Sequence, residues 1–414
     1  MVSSLENNME QSSTILTQST VTIAEIQTNK NHSISSDKLC TVVVCGEIYF
    51  NEKVILAGGI STFFLENNKC IDTLYKQLSG QFWLVVFVNE DNKLYLVNDH
   101  FGMQPCFYTQ QNDRLYISDS LKKLKKLAEL SFTIADQSLF NYMYFHCIPS
   151  PNTIFEQVAK LEPGKAVVFE QQETNLTLSV TEQLLYCPSF NQKKVEESGS
   201  HKACLDVIEK AVTKHASDNS GAFLSGGLDS SSVAGMLAKS QSPAKTFSIG
   251  FTIDGYDETP YAKLTAKHFN TQHEVLYLQP EQAAEEFVKV AQYFDEPFGN
   301  SSAMATYFCA KFAKSHGVTR LLAGDGGDEL FAGNDRYAKQ KQFEFYQQVP
   351  SVVQSLAKGV FCHTPIGKLP LLSKGASYIN QAEVPLPDRL ESYNFLNRLG
   401  VNQMFSNDFL NGVD

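Results

Sequence analysis

The sequence predicts two domains, an α+β domain followed by an α/β domain that is built on a parallel sheet. The chain has 414 residues, and single hydrophobic cores stop growing near about 250–300 residues. Between residues 39 and 187 strand-like segments come first and helical patterns follow, whereas strands and helices alternate after residue 201. The polar and charged stretch 188–200 separates the two patterns and is predicted to be a linker.

The composition is typical of a soluble globular protein, with 43% hydrophobic and 19% charged residues. The net charge of −11 argues against broad binding to nucleic acid, because an acidic surface repels phosphate backbones. The longest apolar run, residues 82–88, is too short to cross a bilayer, and no secretory signal is visible. The nine cysteines include no CxxC pair, which favours free thiols. We therefore expect a cytoplasmic protein that binds neither nucleic acid nor membrane.

Residues 1–38 are rich in Ser, Thr, Asn and Gln and contain no aromatic residue. Such a segment buries too little apolar surface to offset its ordering entropy, so it is predicted to be a disordered leader, with only a weak amphipathic pattern over 15–26. Strands are predicted after it at 41–44, 82–88, 94–97, 106–108 and 115–117. Helices are predicted over 120–130 and 136–144, and this sheet-then-helix order indicates an α+β sandwich.

Several short motifs lie within residues 41–169 of this first domain. They are Gly46-Glu47-Ile48-Tyr49, Leu78-Ser79-Gly80-Gln81-Phe82, Asn98-Asp99-His100-Phe101-Gly102-Met103-Gln104-Pro105, Tyr116-Ile117-Ser118-Asp119-Ser120, Ile148-Pro149 with Thr153-Ile154, and Lys160-Leu161-Glu162-Pro163-Gly164. In this order they resemble the glutaminase domain of the class II amidotransferases, whose nucleophile is N-terminal (Ntn-type). The resemblance implies an Ntn-type amidotransferase-like sandwich over residues 39–187.

The first domain departs from that family where its chemistry would lie. The family's nucleophile is a cysteine directly after the initiator methionine, whose free α-amine acts as the base, and Val2 occupies this place. The arginine-bearing strand and the Gly-Ser-Asp motif of the family are absent. Cys45 is interior and has no free amine, so we interpret it as a small buried hydrophobic residue. We expect a degenerate domain with no glutaminase nucleophile and no glutaminase activity.

The second domain is organised around the stretch 222–232, in which a short apolar run ends in Ser-Gly-Gly-Leu-Asp-Ser. The glycines allow a sharp turn with close backbone approach, and a helical pattern begins at Ser230. The N-terminus of a helix presents free N–H groups, so strand, loop and helix together predict an anion cradle. No Lys-Ser or Lys-Thr pair closes the loop, which excludes a Walker loop. The alternative, an ordinary strand-to-helix turn, is disfavoured by six motif positions in this context.

A second glycine-rich turn, Gly324-Asp325-Gly326-Gly327-Asp328-Glu329, follows the last strand of a predicted alternation. The strands are 246–251, 273–278 and 320–323, and the helices are 201–215, 259–269, 281–294 and 303–316. Three carboxylates in five residues repel one another unless a cation or donor groups offset them. At the carboxyl edge of a parallel sheet they would join Asp229, and such oxygen ligands beside a triphosphate suit Mg²⁺. The alternative is a solvated acidic turn.

The Ser-Gly-Gly-Leu-Asp-Ser loop, the strand Thr246-Phe247-Ser248-Ile249-Gly250-Phe251 and the turn that runs from Gly324 to Gly333 resemble the synthetase domain of asparagine synthases. That domain is a PP-loop ATP pyrophosphatase with an adenine nucleotide alpha hydrolase-like fold. The resemblance implies ATP and Mg²⁺ as cofactors, a carboxylate substrate with aspartate as the expected acceptor, and an ammonia donor. It implies Asp325 as the catalytic residue, and Asp229 and Asp328 as Mg²⁺ ligands. ATP and pyrophosphate would be bound by Leu224, Ser225, Gly226, Gly227, Leu228, Asp229, Ser230, Ser231, Ser248, Ile249, Gly250, Ala323, Gly324 and Asp328.

Two further segments match parts of this family. Asp295-Glu296-Pro297, with Ser301-Ser302, resembles a substrate-side segment of one subgroup. The pair Asp257-Glu258 resembles the acidic pair before the helix that flanks the ATP site, and an acidic helix N-terminus fits it equally well.

Residues 338–414 are predicted to be mixed helical and irregular, and they match neither the family's Arg-x-Pro-Leu-Leu-Asp segment nor its catalytic lysine. We therefore expect a fragment of a longer protein, or a homodimer or partner chain that supplies this segment, or an inactive protein.

Three functions stay open. The first is an amide ligase of the asparagine synthase type. The second is a ligase that closes an amide in a specialised substrate, as lasso-peptide cyclases and β-lactam synthetases do. The third is a nucleotide-binding scaffold without turnover. Acceptor-dependent release of pyrophosphate would separate the ligases from the scaffold.

Overall fold

The structure is a computed structural model that describes residues 12–18, 21–28, 32–111, 114–127, 131–171, 178–189, 197–252, 255, 257–363, 373–386, 388–391 and 394–413. The chain divides into two compact units. The first consists of Met1–Lys193, Ala291–Gly299 and Gly412–Asp414, and the second of Lys194–Val290 and Asn300–Asn411. The main division falls inside the segment predicted as a linker, whereas Ala291–Gly299, predicted for the second domain, belongs to the first unit.

The first unit is built mainly from strands. They are β1 Ser12–Gln18, β2 Val21–Thr28, β3 His32–Ser36, β4 Cys40–Phe50, β5 Lys53–Ile55, β6 Leu78–Val88, β7 Lys93–Asn98, β8 Phe107–Gln111, β9 Arg114–Ser118, β10 Ala159–Lys160, β11 Lys165–Gln171 and β12 Leu178–Leu184. The helices of this unit are α1 Ala57–Glu66, α2 Ile71–Tyr75, α3 Leu121–Leu127 and α4 Asp136–Phe145.

The described strands of this unit form two largely antiparallel sheets, with the orders β1-β2-β9-β8-β10 and β12-β11-β7-β6-β4-β3, and β5 pairs with β4. Strands β4 and β6 bury both of their faces. Val43 and Val85 pack in one core cluster with Ile117 of the other sheet, whereas Val44 and Val86 pack in a second cluster with residues of α1 and α2. Two buried faces explain why these strands have nearly continuous apolar sequences. The predicted α+β class is confirmed.

The prediction of a disordered leader over 1–38 is wrong for the described residues 12–18, 21–28 and 32–36. Strand β2 pairs in parallel with β9, and β3 pairs antiparallel with β4. Ile26 of β2 is 1% exposed in the core. Val21–Thr28 is rich in β-branched residues, which suit a pleated strand. The sheets also supply backbone hydrogen-bond partners that a composition-based entropy argument ignores. Residues 1–11, 19–20 and 29–31 of this prediction lie outside the described residues.

The second unit alternates helices and strands before a helical C-terminal part. Its strands are β13 Ser220–Phe223, β14 Lys245–Phe251, β15 Gln272–Leu278 and β16 Arg320–Leu322. Its helices are α5 Glu197–His215, α6 Leu228–Ser240, α7 Thr259–Phe269, α8 Pro280–Tyr293, α9 Ser302–Ser315, α10 Gly327–Phe331, α11 Asp335–Gln347, α12 Ser351–His363, α13 Ser373–Glu383, α14 Asp388–Glu391, α15 Phe395–Leu399, α16 Val401–Met404 and α17 Asn407–Leu410.

The strands of the second unit form a parallel sheet in the order β15-β14-β13-β16, as the alternation predicts. Helices α6 and α7 cover one part of it through a cluster that includes Ala222, Leu237 and Ala262. Helix α9 contributes Cys309 and Ala313 to a separate cluster around Phe247. No helix in the described ranges combines the length and the apolar character that a membrane span requires.

Candidate active site

The loops after β13 and β16 meet at one edge of the parallel sheet. The two strands pair in register from Ser220↔Arg320 to Ala222↔Leu322, so their carboxyl ends lie side by side. Strand β13 also pairs with β14 on its other side. The chain runs from β13 to β14 and β15 on one side and then crosses to β16 on the other side of β13. An open α/β sheet forms its ligand crevice at such a switch point.

The loop after β13 is closed by its own serines. The Ser225 and Ser230 Oγ atoms are 3.0 Å apart, and the Ser225 backbone N–H donates to Ser230 Oγ at 3.2 Å. Gly226 adopts a left-handed φ of +90°, and Gly227 is the N-cap of α6 without a capping side chain. The first turn of α6 is therefore left without a side-chain acceptor, as an anion cradle requires.

Glycines in the second turn make room for two carboxylates. A Cβ atom on Gly327 would lie 2.4 Å from Asp229 Oδ2, and one on Gly333 would lie 2.3 Å from Asp328 Oδ1. A Cβ atom on Gly324 would come within 2.8 Å of the Asp229 backbone carbon. The two loops are thus in direct contact, and only glycine at these positions leaves the carboxylates where they are.

An acidic cavity of about 420 Å³ lies between these loops. Asp229, Asp325, Asp328 and Glu329 all line it, and no ion pair among the described side chains involves any of them. Four carboxylates without cationic partners favour binding of a cation. The other wall residues are Phe223, Ser225, Ser230, Thr306, Ala323, Gly324, Gly326 and Gly327.

The carboxylates of this cavity suit a magnesium ion that arrives with a ligand. No three His, Cys, Asp or Glu side chains of the described part form a metal site on their own. Magnesium is usually held by one or two carboxylates together with water and substrate phosphates, not by an all-protein cage. Asp229 and Asp328, one on each loop, fit this donor set.

A second, more apolar cavity of about 330 Å³ adjoins the first. Its apolar walls with a few polar groups are typical of a site for an aromatic ring system. Glu258 lines this cavity, whereas Asp257 accepts hydrogen bonds from the backbone N–H and hydroxyl of Thr259 at the start of α7. The other wall residues are Phe223, Leu224, Ser225, Phe247, Ser248, Ile249, Phe251, Thr259, Ala262, Ser302, Ala305, Thr306 and Cys309.

Ten of the predicted site residues line one or both cavities. They are Leu224, Ser225, Asp229, Ser230, Ser248, Ile249, Ala323, Gly324, Asp328 and the predicted catalytic Asp325. Gly226, Gly227 and Leu228 lie between Ser225 and Asp229 in the sequence and do not line either cavity. Ser231 bonds Thr265 Oγ1 at 3.2 Å. A Cβ atom on Gly250 would meet the Tyr277 ring at 2.6 Å. The roles of all these residues stay predictions.

Ser248 is held in the cavity wall by a network of buried and half-buried polar groups. Its hydroxyl donates to the Leu224 carbonyl and lies 3.4 Å from His273 Nε2. His273 Nδ1 in turn lies 3.1 Å from Thr246 Oγ1. Burial lowers the pKa of His273, which favours the neutral ring that such a network needs. The sequence gives only a weak signal for this network of side chains, because its members are polar residues inside predicted strands.

Asp295 and Glu296, which match a substrate-side segment, make structural contacts, and their proposed substrate-side position stays a prediction. Both carboxylates are engaged within the first unit. Asp295 Oδ1 accepts from Ser120 Oγ at 2.8 Å. Glu296 pairs with Lys160 and accepts from the Ile154 backbone N–H. Burial raises the pKa of Glu296, although Lys160 opposes this shift.

Two residues of the amidotransferase-like region, Asp99 and Cys45, contribute to the structure of the first unit. The Asp99 carboxylate accepts hydrogen bonds from the backbone N–H groups of Phe82, Phe101 and Met103. Cys45 is buried among core residues, and burial raises the pKa of its thiol to about 12. This thiol therefore stays protonated near neutral pH, as expected for a small hydrophobic residue.

A parallel sheet with a serine-glycine cradle and a carboxylate cluster at its switch point defines an α/β protein of the nucleotide-binding class. The asparagine synthase family profile matches residues 203–409, and that of the glutamine amidotransferase domain matches residues 67–179. The chain belongs to the asparagine synthase family.

Three relatives illustrate this similarity. Asparagine synthetase (glutamine-hydrolyzing) 1 of Bacillus subtilis is 31% identical over 76% of this chain and 48% of that protein. Putative asparagine synthetase (glutamine-hydrolyzing) 2 of Methanocaldococcus jannaschii is 29% identical over 76% of this chain and 62% of that protein. Amidase chry2 of Gibberella zeae is 22% identical over 71% of this chain and 47% of that protein. The chain thus spans from about half to three fifths of the length of these relatives.

Proposed function

We propose that this chain binds ATP with Mg²⁺ and forms an amide through an acyl-AMP intermediate, as a carbon–nitrogen ligase of the asparagine synthase type. The observation that carries the proposal is the meeting of the serine-glycine loop and the acidic turn at the switch point, beside an apolar cavity. The proposal includes an adenine nucleotide alpha hydrolase-like PP-loop fold for the second unit and a degenerate Ntn-type fold for the first. The two family profiles support these assignments.

The two cavities suggest how ATP would bind. The adenine would occupy the apolar cavity, where Leu224 and Ile249 line the wall. The phosphates would lie against Ser225, Ser230 and the first turn of α6, whose dipole favours anions. Mg²⁺ held by Asp229 and Asp328 would neutralise the charge of the departing pyrophosphate. These residues would fix the α-phosphorus for attack by the substrate carboxylate, here proposed to be aspartate.

Asp325 is proposed to help form acyl-AMP in the first half-reaction and to act as a base in the second, when ammonia attacks. Its position in the wall of the acidic cavity would place a carboxylate beside the acyl group once acyl-AMP has formed. It would accept a proton from the attacking ammonia, which then displaces AMP to give the amide.

The nitrogen source is proposed to be free ammonia or ammonia delivered by another protein. The buried, protonated thiol of Cys45 supports the absence of a nucleophile at that position. The free state of the described cysteines supports a cytoplasmic location. We also propose that the chain acts as a homodimer or together with a partner chain. Size-exclusion chromatography with light scattering tests the oligomeric state.

The test measures pyrophosphate release by the purified chain with ATP, Mg²⁺ and aspartate, with either ammonium or glutamine added. We expect release with ammonium and none above background with glutamine. Variants D325N and D328N should lower the rate at least about 100-fold, since each removes a charge that the reaction needs. D218N, which alters an exposed carboxylate before β13, is the charge-matched control.

Three outcomes would contradict parts of this proposal. Release with glutamine would overturn the loss of glutaminase activity. Release that depends on another carboxylate but not on aspartate would indicate a specialised substrate. Nucleotide binding without release would overturn the ligase and leave a nucleotide-binding protein.

A further inference from the structure

The acidic and apolar cavities share three wall residues, which are Phe223, Ser225 and Thr306. Phe223 ends β13 and Ser225 follows it, whereas Thr306 comes from the second turn of α9. These three residues therefore mark the junction of the two cavities. A nucleotide with its base in one cavity and its terminal phosphates in the other would pass this junction with its α-phosphoryl group.

Helix α9 presents one face to the apolar cavity. Ser302, Ala305, Thr306 and Cys309 all line it, and their spacing of three and four residues places them on one side of a helix. Of these four, Thr306 is the one that also lines the acidic cavity. The sequence predicted this helix, but its pattern alone does not reveal which face meets the loop after β13.

The polar groups at the junction differ in whether they are already engaged. Ser225 Oγ lies 3.0 Å from Ser230 Oγ and accepts from the Gly227 backbone N–H at 3.3 Å. Thr306 is exposed, and its hydroxyl makes no hydrogen bond with any described residue. By contrast, Ser232 on α6 donates to the carbonyl of Leu228 one turn earlier, which is a common arrangement for helical hydroxyls. The Thr306 hydroxyl is thus available to a ligand at the junction.

We propose that Thr306 is a catalytic residue whose hydroxyl donates a hydrogen bond to a non-bridging oxygen of the α-phosphoryl group of ATP. The assignment rests on the proposed function. In the first half-reaction a substrate carboxylate oxygen forms a bond to the α-phosphorus. The bond from the α-phosphorus to the oxygen that bridges to the β-phosphorus breaks, and pyrophosphate leaves with that electron pair. Thr306 keeps its proton and stabilises negative charge on the α-phosphoryl oxygens as the carboxylate attacks.

The experiment compares T306V, which keeps the shape but removes the hydroxyl, with T306S, which keeps the hydroxyl. T213V, at an exposed threonine of α5, is the matched control. We expect T306V to lower kcat for carboxylate-dependent pyrophosphate release roughly 10- to 100-fold and to raise KM for ATP by no more than about 10-fold. T306S should restore most of kcat. An unchanged kcat in T306V, or equal losses in T306S and T306V, would overturn the proposal.

Binding measurements separate this proposal from the proposed function. If the unaltered chain releases no pyrophosphate, calorimetric titrations with AMP and with adenosine still test the contact. T306V should weaken AMP binding about 10-fold and leave adenosine binding unchanged, because adenosine lacks the α-phosphoryl group. Equal effects on both ligands, or no AMP binding by the unaltered chain, would overturn it. Thermal unfolding of each variant shows that it is folded before binding is compared.

Discussion

The substitution G226A tests the geometry of the serine-glycine loop without any ligand. Gly226 has a φ of +90°, a conformation that costs an L-residue about 1–2 kcal/mol. A Cβ atom would also lie 2.6 Å from the backbone nitrogen of Ala262 and from Tyr261 Cβ in α7. A backbone atom inside a helix cannot move alone, so this overpacking adds about 1–3 kcal/mol. The free energy of unfolding of the second unit should fall by about 2–5 kcal/mol.

The neighbouring glycine supplies the matched control. Gly227 has a φ of −69°, and the nearest atom to a Cβ there is Ser225 Oγ at 3.4 Å. G227A should therefore change the free energy of unfolding by less than about 1 kcal/mol, in either direction.

Two optical probes assign the loss of stability in G226A to the correct unit. Trp83 is the only tryptophan of the sequence and is buried in the first unit, so its fluorescence follows that unit. Circular dichroism at 222 nm follows helices, most of which among the described residues belong to the second unit. We expect the dichroism transition of G226A to shift down by roughly 4–20 °C, with the fluorescence transition unchanged. Equal melting of G226A and G227A would refute the loop geometry.

Three further expectations concern titratable groups. Iodoacetamide should label the exposed Cys147 and Cys187 in the native chain and should reach Cys45 only after unfolding. Burial raises the pKa of the Cys45 thiol to about 12, so the reactive thiolate is scarce. Fast labelling of Cys45 in the native chain would contradict this. Burial raises the pKa of Glu296, so its contribution to stability is present below about pH 4.5 and is lost as pH rises. E296Q should thus gain stability relative to the unaltered chain between pH 4 and 7 in urea unfolding, and a constant difference would argue against a raised pKa. Burial lowers the pKa of His273, so acidification below about pH 6.5 should destabilise the unaltered chain more than H273N, as dichroism-monitored unfolding would show.

The second unit could be predicted from the sequence because its signals are local. Helix α7 has the predicted bounds, and β14 begins one residue before its predicted start. The two glycine-rich turns each hold their chemistry within a few adjacent residues, and a parallel sheet brings such turns to one edge. The sequence did not indicate Thr306, because its proposed role depends on which face of α9 lines the cavities.

Sequence reasoning was wrong about the leader and could not show the contacts of Glu296, because in both cases the partner lies far away in the sequence. Strand β2 is stabilised by β9, about 90 residues later, so its own composition could not show that it is ordered. Glu296 binds Lys160, which lies 136 residues earlier. A Lys–Glu pair of this separation leaves no local pattern, and the carboxylate motif fits a substrate contact and a structural anchor equally well.

The two units together show which part of a motif carries information about function. Asp99 keeps a family motif, yet three backbone N–H groups satisfy its carboxylate, so selection for the fold alone would retain it. Asp229, Asp325 and Asp328 also keep family motifs, but their carboxylates have no ion-pair partner among the described side chains. Crowded carboxylates without partners repel one another, and the fold gains nothing from holding them together. Their shared cavity is therefore not explained by stability, which supports the proposal that it binds a cation and a nucleotide.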